Sequence, residues 1–328
     1  MADICNIIFD NYQKDIFTWL YSVLTIVGLL SNAAVLRDLW KAEKTVTGIF
    51  TINMTAADLL LCCSFPFRIV YYQRSSEWEP NAYLCTATIF TTVSLFYINL
   101  YCNICFLMWI CINRYASVVR PQHVFFKFFK NPKMCKFLCA LTWIVTLCVT
   151  LSNLIHNLPR NSVPAKSCFD LIASKTRNNY NLLHALCIAL FFLILIILLT
   201  FYTLLVYHLQ RMQDGNLVMR NQNVSLQVRR KILATVLVFV VCFVPYHIER
   251  AMLLLSKSSD CTWQRKQYKA KACTILLAAL SCCVLPLLHL SFHFRCCKAR
   301  AASHTRNIHS CTDAEHAIGH RLPETTRS

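Results

Sequence analysis

Seven stretches of this chain are long and apolar enough to cross a bilayer, and they restrict its fold more than any other feature. They lie at about 16–36, 48–72, 86–111, 136–158, 182–207, 232–255 and 272–294, and a membrane-crossing helix needs about 20 such residues. At bilayer depth no water is available, so every backbone N–H and C=O must be satisfied within a helix or a closed barrel. The stretches are continuous and do not alternate with period two, so helices are implied rather than barrel strands. The expected fold class is all-α: a seven-transmembrane-helix bundle. Composition agrees, with 56% hydrophobic and 15% charged residues against about 25% charged in a soluble chain. Disorder, collagen and a soluble nucleic-acid binder are excluded, and no nucleic-acid partner is expected. The polar start MADICNIIFDNYQKD lacks a basic n-region, so no cleavable signal peptide is expected.

The net charge of +18 divides across the spans. With the N-terminus outside, the cytosolic segments are 37–47, 112–135, 208–231 and 295–328. Together with Lys136 they carry 20 of the 33 Lys and Arg against 6 acids, a surplus of 14. The outer segments carry 11 against 7, a surplus of 4, and Arg68 and Arg250 balance Asp58 and Glu249 within spans. Positive loops face the cytosol, so the expected organisation is an extracellular segment 1–15, a transmembrane domain 16–294 and a cytoplasmic tail 295–328. The cationic inner surface serves topology alone, or it also meets anionic membrane lipid or an acidic partner.

Polar residues inside the spans are the functional candidates, because charge at bilayer depth is expensive. Asp58 sits mid-span in NMTAADLLL with no neighbouring charge, and Asn32, Asn103 and Asn113 lie in the first and third spans. For the asparagines, interhelical hydrogen bonding is a sufficient role.

These residues form a pattern with Arg114 and Tyr115 after Asn113, Trp143 in the fourth span, Cys242-Phe243-Val244-Pro245 in the sixth and Pro286 in the seventh. In order and placement the chain resembles the rhodopsin-like (class A) G-protein-coupled receptors over nearly its whole length. Within them it resembles the purinergic-like cluster, which holds receptors for ADP and UDP-sugars and their peptide-type or orphan relatives. The residues that carry this are Phe65-Pro66-Phe67-Arg68, YINLY at 97–101, Ser152-Asn153, the run from Cys242 to Arg250, Asp260-Cys261-Thr262 and Lys269-Ala270-Lys271. The missing fifth-span proline is more like the peptide-type branch.

Arg68, His247 and Arg250 fall in the outer thirds of the second and sixth spans, and Lys271 opens the seventh. His247 and Arg250, three apart, share a helix face. This cationic group suits a phosphate or carboxylate, which arginine grips with its two-pronged guanidinium. The other reading has Arg68 snorkelling and Arg250 neutralised by an acid; Glu249, about 100° away on the same helix, is badly placed for that. Tyr97 and Tyr101, one turn apart, line the same region or pack.

Of the 20 cysteines, most lie in spans as free thiols. Cys5, Cys85, Cys168 and Cys261 fall in outer segments, where disulfides are expected. Sequence alone permits three pairings; the resemblance pairs Cys85 with Cys168 and Cys5 with Cys261. The 29 residues between Cys85 and Arg114 exceed the family spacing by about four, just over one helical turn. The third span therefore protrudes by a turn or carries a local bulge.

The resemblance assigns Asn113, Arg114 and Tyr115 to G-protein coupling, with Asp58, Phe243, Pro245 and Pro286 in the activation switch. Asn113 stands where relatives carry an acid that restrains the arginine, which implies weaker restraint and raised basal activity. Leu285 and His289 replace the polar residue and tyrosine that flank the seventh-span proline in relatives. Asp58 then depends on Asn32, Asn103 and Ser281 for hydrogen bonds, and a sodium ion near it is not expected. The residues from Phe294 resemble the start of a short C-terminal amphipathic helix, in which Cys296 and Cys297 are palmitoylation candidates. Ser303, Thr305, Ser310 and Thr312 are weak candidates for phosphorylation and, with it, arrestin recruitment.

No nucleophile–base pair, HExxH, P-loop or glycine-rich phosphate loop is present, so no enzyme, cofactor or metal is expected. Inverted repeats and broken helices of transporters are missing too, as is a mid-seventh-span lysine for retinal. The expected function is a plasma-membrane receptor for an extracellular anionic ligand: a nucleotide, an acidic lipid or carboxylate, or a peptide with an acidic terminus. The resemblance implies signalling through heterotrimeric G proteins of the inhibitory type. The alternative is a non-signalling membrane interaction or scavenger protein, favoured by the seventh-span departures.

Overall fold

Seven long helices form over the seven apolar stretches, in a computed structural model that describes residues 10–41, 45–73, 87–88, 90–119, 122–157, 177–214, 219–255 and 260–302. They are α1 (Asn11–Lys41), α2 (Val46–Gln73), α3 (Leu95–Val118), α4 (Pro132–Asn157), α5 (Arg177–Asp214), α6 (Met219–Leu255) and α7 (Cys261–Ala302). A π-helical turn, Phe90–Ser94, leads into α3, and a short linking helix, Val124–Lys130, joins α3 to α4. No strand occurs among the described residues. All seven helices contain a stretch apolar enough to span a membrane. Several overrun the apolar stretch itself, because the bilayer limits only the apolar part of a helix. From Phe294 the chain is helical, though as an unbroken continuation of α7 to Ala302 rather than as a separate short helix.

The helices close into a ring around α3. Contacts run from α1 to α2, α2 to α3 and α4, α3 to α5, α5 to α6, α6 to α7, and α7 back to α1 and α2. In the apolar stretch of α3, 61% of residues are buried, against 22% in α5. The sequence carries the same contrast: α3 holds Asn99, Asn103 and Asn113, whereas the centre of α5, ALFFLILIILL, is Leu, Ile and Phe apart from one Ala.

Lipid tails are as apolar as leucine, so helix association in a bilayer relies on close packing and on polar contacts between helices. Pro286 lacks an N–H, which deprives the carbonyl four residues earlier of its helical partner. That carbonyl belongs to Cys282, and Asn32 Nδ2 donates to it at 2.8 Å while also donating to Gly28 O at 2.9 Å. The asparagine thus ties α1 to α7 at the point the proline opens. Trp143 Nε1 donates to Asn53 Oδ1 at 3.0 Å, joining α4 to α2, and Trp109 Nε1 donates to Thr142 Oγ1 at 3.3 Å, joining α3 to α4. Asn53 heads a glycosylation-type triplet, Asn53-Met54-Thr55; it serves as a packing clamp within the bundle.

A similar rescue occurs at the π-turn. A π-turn interrupts the regular i to i−4 ladder, and Arg68 Nη2 donates to the Thr92 carbonyl at 3.3 Å. The turn is a local bulge within the long Cys85–Arg114 interval and takes up about one of its four extra residues. At the same end, Asp260 caps α7: Thr262 N donates to Oδ1 at 3.1 Å, and Thr262 Oγ1 donates to Oδ2. These bonds stabilise the carboxylate and hold its pKa below the ordinary aspartate value. Cys261 beside it is disulfide-bonded. Cys5, Cys85 and Cys168 lie outside the described residues, as do the side chains of Cys296 and Cys297.

Gly28 marks a close approach of α1 to α2 and α7. A Cβ there would stand 2.5 Å from Cys62 Sγ and 3.3 Å from Cys283 Sγ. Cys62 is fully buried, and its sulfur already lies 3.7 Å from Cys282 Sγ, so it has little room to yield. Replacement Gly28→Ala is expected to cost about 1–2 kcal/mol as an overpacked site, partly offset by better helix propensity. The thermal midpoint of purified protein should fall, and adding Cys62→Ala should restore most of it. Independent, additive effects of the two substitutions would contradict this packing.

Candidate functional site

The principal polar cluster lies at the end of the bundle that holds the start of α1, where α3, α5, α6 and α7 converge. Its hub is Arg250 of α6, only 6% exposed. The Nη1 atom donates to Tyr97 Oη of α3 and, at 2.9 Å, to Tyr246 Oη of α6. The Nη2 atom donates to His184 Nδ1 of α5. Because a guanidinium only donates, His184 must accept at Nδ1 and carry its proton on Nε2. The guanidinium also lies over the rings of Tyr97 and Tyr246, with centroids 5.3 and 5.7 Å away.

His247, the second expected member, is 1% exposed. Its Nδ1 donates to Phe243 O at 2.9 Å, and its ring stacks on Phe191 with centroids 3.6 Å apart and planes 3° from parallel. Tyr101 stacks beneath Tyr97 at 6.3 Å and meets the His247 ring edge-on at 6.4 Å. Lys271 of α7 is within electrostatic reach of Tyr97, Arg250, Glu249 and Arg68. The structure therefore brings Tyr97, Tyr101, His247, Arg250 and Lys271 together.

Arg68 stands apart. Its guanidinium lies over Tyr21 and Phe96 at 5.6 and 5.8 Å and bonds the π-turn carbonyl. Phe96 separates it from the hub, packing edge-on against Tyr97 at 5.8 Å and Tyr246 at 5.4 Å. Neither arginine snorkels; both are buried.

Sequence reasoning missed three members. Tyr246 hides within the Phe-Val-Pro-Tyr-His run. His184 is a lone polar residue in LLHALCIALFF, which was its one available signal. Glu249 was read only as a poor partner for Arg250. It is 5% exposed, and among the described residues both its carboxylate oxygens and His247 Nε2 have no hydrogen-bond partner.

In mid-bundle, Asp58 Oδ1 accepts from Asn99 Nδ2 and Asn103 Nδ2, each at 2.7 Å. Asn103 is as expected, and Asn99 was not foreseen. Asn32 and Ser281 do not contribute: Asn32 is committed to Cys282 O, and Ser281 Oγ donates to Ala278 O at 2.7 Å in its own helix. Phe243 is buried beneath the hub against Phe239 at 5.3 Å, Pro245 lies within α6, and Pro286 within α7 beside buried Leu285.

At the opposite end, Asn113 Nδ2 donates to Phe129 O at 2.8 Å, and its Oδ1 accepts from Thr47 Oγ1 at 3.3 Å. It joins α3, α2 and the linking helix by using both amide functions. An ionised acid accepts only and would face the Phe129 carbonyl with no proton to give. Arg114 is half-buried, and Tyr115 is buried edge-on against Phe201 at 5.0 Å.

The profile of the family described as "7 transmembrane receptor (rhodopsin family)" matches residues 31–289. The chain is 29% identical over 297 residues to mouse (Mus musculus) cysteinyl leukotriene receptor 1, covering 87% of this chain and 80% of that protein. It is 28% identical over 279 residues to G-protein coupled receptor 183-A of Danio rerio, covering 82% and 74%. Bovine (Bos taurus) G-protein coupled receptor 171 is 29% identical over 292 residues, covering 85% and 87%.

Replacement Asn113→Asp should loosen the linking helix, because it removes the amide donor from the Phe129 carbonyl and sets a carboxylate against it, leaving the weaker Cys135 thiol bond at 3.2 Å, at a cost of about 1–3 kcal/mol. Hydrogen exchange at residues 124–130 should accelerate relative to wild type. Unchanged exchange would show that the Phe129 bond does not hold that helix.

Proposed function

This chain belongs to the rhodopsin family of seven-transmembrane receptors, and from that premise we propose that the Arg250 cluster is its ligand site and that the ligand is anionic. It is a receptor rather than an enzyme, and its partners are an extracellular ligand and a G protein. In the proposed arrangement residues 1–15 face outward at the plasma membrane, 16–294 form the transmembrane domain and 295–328 face the cytosol. The surplus of 14 positive charges on the inner segments supports this orientation.

One observation carries the ligand site. Buried polar groups are nearly always hydrogen-bonded, yet Glu249 and His247 Nε2 lack partners among the described residues, beside Arg250 and Lys271. A ligand that enters between α3, α6 and α7 and also carries an N–H or O–H donor completes such a set, because His247 Nε2 and an ionised Glu249 both accept. Its phosphate or carboxylate meets Arg250 and Lys271, competing with the tyrosine hydroxyls that now occupy the guanidinium. Nucleotides, acidic lipids, other carboxylates and peptides with acidic termini fit this chemistry. The similarity to a receptor named for cysteinyl leukotriene supports a ligand of that kind among them.

Arg250 lies five residues beyond Pro245, where α6 lacks one helical hydrogen bond. Drawing Arg250 toward a ligand biases α6 at that bend and shifts the equilibrium between two receptor states. Arg114 and Tyr115 at the far end are the proposed seat for a G protein of the inhibitory type. Arrestin recruitment by the tail is part of the same proposal. Cys85–Cys168 and Cys5–Cys261 are the proposed disulfides, the second supported by the bonded state of Cys261.

Ligand-dependent G-protein dissociation, measured with a panel of nucleotides, lipid acids and acidic peptides, tests this. Arg250→Ala should lower potency at least tenfold with surface expression intact, since charged hydrogen bonds contribute about 1.5–3 kcal/mol each. Arg250→Lys should fall between the two. Unchanged potency in Arg250→Ala would remove the cluster from ligand binding. A side-by-side measurement with Leu285→Asp separates signalling from scavenging: both proteins should respond. A response from the variant alone would favour a non-signalling receptor.

A further inference from the structure

The end of the bundle that carries Asn113 also carries a cationic and apolar surface with no part in the reading above. No Asp or Glu occurs between Glu79 and Asp170, while eight Lys and Arg do. Within that interval the linking helix presents Val124, Lys127 and Phe128 on one face, three and four residues apart. All three are exposed, Val124 to 81% and Phe128 to 46%. The opposite face is anchored, with the Phe129 ring stacked on Trp109 at 6.0 Å and its carbonyl held by Asn113.

Helix α4 then opens with Lys133, Lys136 and Phe137, all exposed, Phe137 to 57%. Phe137 heads an exposed stripe that continues through Leu141, Ile144, Cys148 and Leu151 along a segment apolar enough to span the membrane. Such a stripe faces acyl chains. The two lysines therefore stand where acyl chains give way to headgroups, a level that suits an ammonium on a long apolar stem. The ion pairs within 4.0 Å among the described residues are Arg37–Asp38 and Lys269–Asp10, so none neutralises Lys127, Lys133 or Lys136.

We propose that Lys127, Lys133 and Lys136, with the exposed Phe128 and Phe137 next to them in sequence, form a binding site for an anionic glycerophospholipid, its headgroup held by the ammonium groups and an acyl chain laid along α4. Three compact positive charges and no acid favour a headgroup with net negative charge over a zwitterionic one. The apolar stripe that runs on from the lysines favours a lipid over a soluble protein. Burial and the nearby Lys127 also hold the Lys130 ammonium below its ordinary pKa, a penalty that a bound anion relieves.

The test uses the full-length protein in mixed micelles holding equal amounts of dioleoyl phosphatidylserine and dioleoyl phosphatidylcholine, with bound lipid counted by native mass spectrometry. Wild type should retain phosphatidylserine in several-fold excess. Each lysine near an anionic lipid surface contributes about fivefold, so the triple replacement K127Q/K133Q/K136Q should reduce that retention at least tenfold and leave phosphatidylcholine unchanged. The charge-preserving triple K127R/K133R/K136R should keep it. A salt series on wild type alone needs no variant to fold: phosphatidylserine retention should drop as ionic strength rises, because screening shortens the reach of each charge. Equal retention of the two lipids by wild type, or insensitivity to salt, would overturn the site. Unchanged phosphatidylserine retention in the glutamine triple, with loss of nucleotide exchange by an added G protein, would make this a protein-docking face and overturn it likewise.

Discussion

A proline in a bilayer-crossing helix strands one carbonyl where no water can reach it, and the donor that answers for it decides which helices stay together. In this receptor Pro286 opens Cys282 O, and Asn32 closes it from the neighbouring helix. The same asparagine bonds Gly28 O, at a point where α1 packs tightly against α2 and α7. One side chain thus satisfies an obligatory group and fixes the seam that closes the ring. The π-turn ahead of α3 repeats the logic with Arg68 as donor. Both residues look costly in an apolar span when the sequence is read alone; each is placed where the backbone needs a donor.

The hub at Arg250 is of a different kind. It gathers a phenol from α3, an imidazole from α5 and a phenol from its own helix around one guanidinium, with an ammonium from α7 nearby. Bonds of this type are short-ranged and directional, so the group tolerates few relative positions of those helices. An anion that takes over the guanidinium withdraws it from several helices at once. Coupling between a small ligand and the arrangement of the bundle needs nothing more elaborate than this shared donor.

Much of the fold was legible because its causes are local. Apolar run length marks a span, and a helix forms over each of the seven runs. Tyr97, Tyr101, His247, Arg250 and Lys271 converge as their spacing suggested, since residues one turn apart on adjoining helices meet whenever the helices pack in the expected order. The residues that escaped depended on partners distant in sequence. Arg68 has the same residue type and depth as Arg250, yet it serves a carbonyl 24 residues away that exists only because of the π-turn. His184 and Asn99 carry no local signal beyond being polar in an apolar run. Asn113 looked like an acid stripped of its charge; its value as a donor appears only when the linking helix lies against it.

The π-turn at Phe90–Ser94 has a bearing on how this receptor is compared with others. Each such turn rotates the segment before it by about one residue, roughly 100°, relative to the helix after it. Counted back from Arg114, positions of α3 correspond face for face with a regular helix only as far as Leu95. Beyond that point a residue matched by number in a relative lacking the turn points toward a different neighbour. Side chains transplanted across Thr91 or Thr92 by alignment alone would be set facing the wrong helix, even where the letters agree.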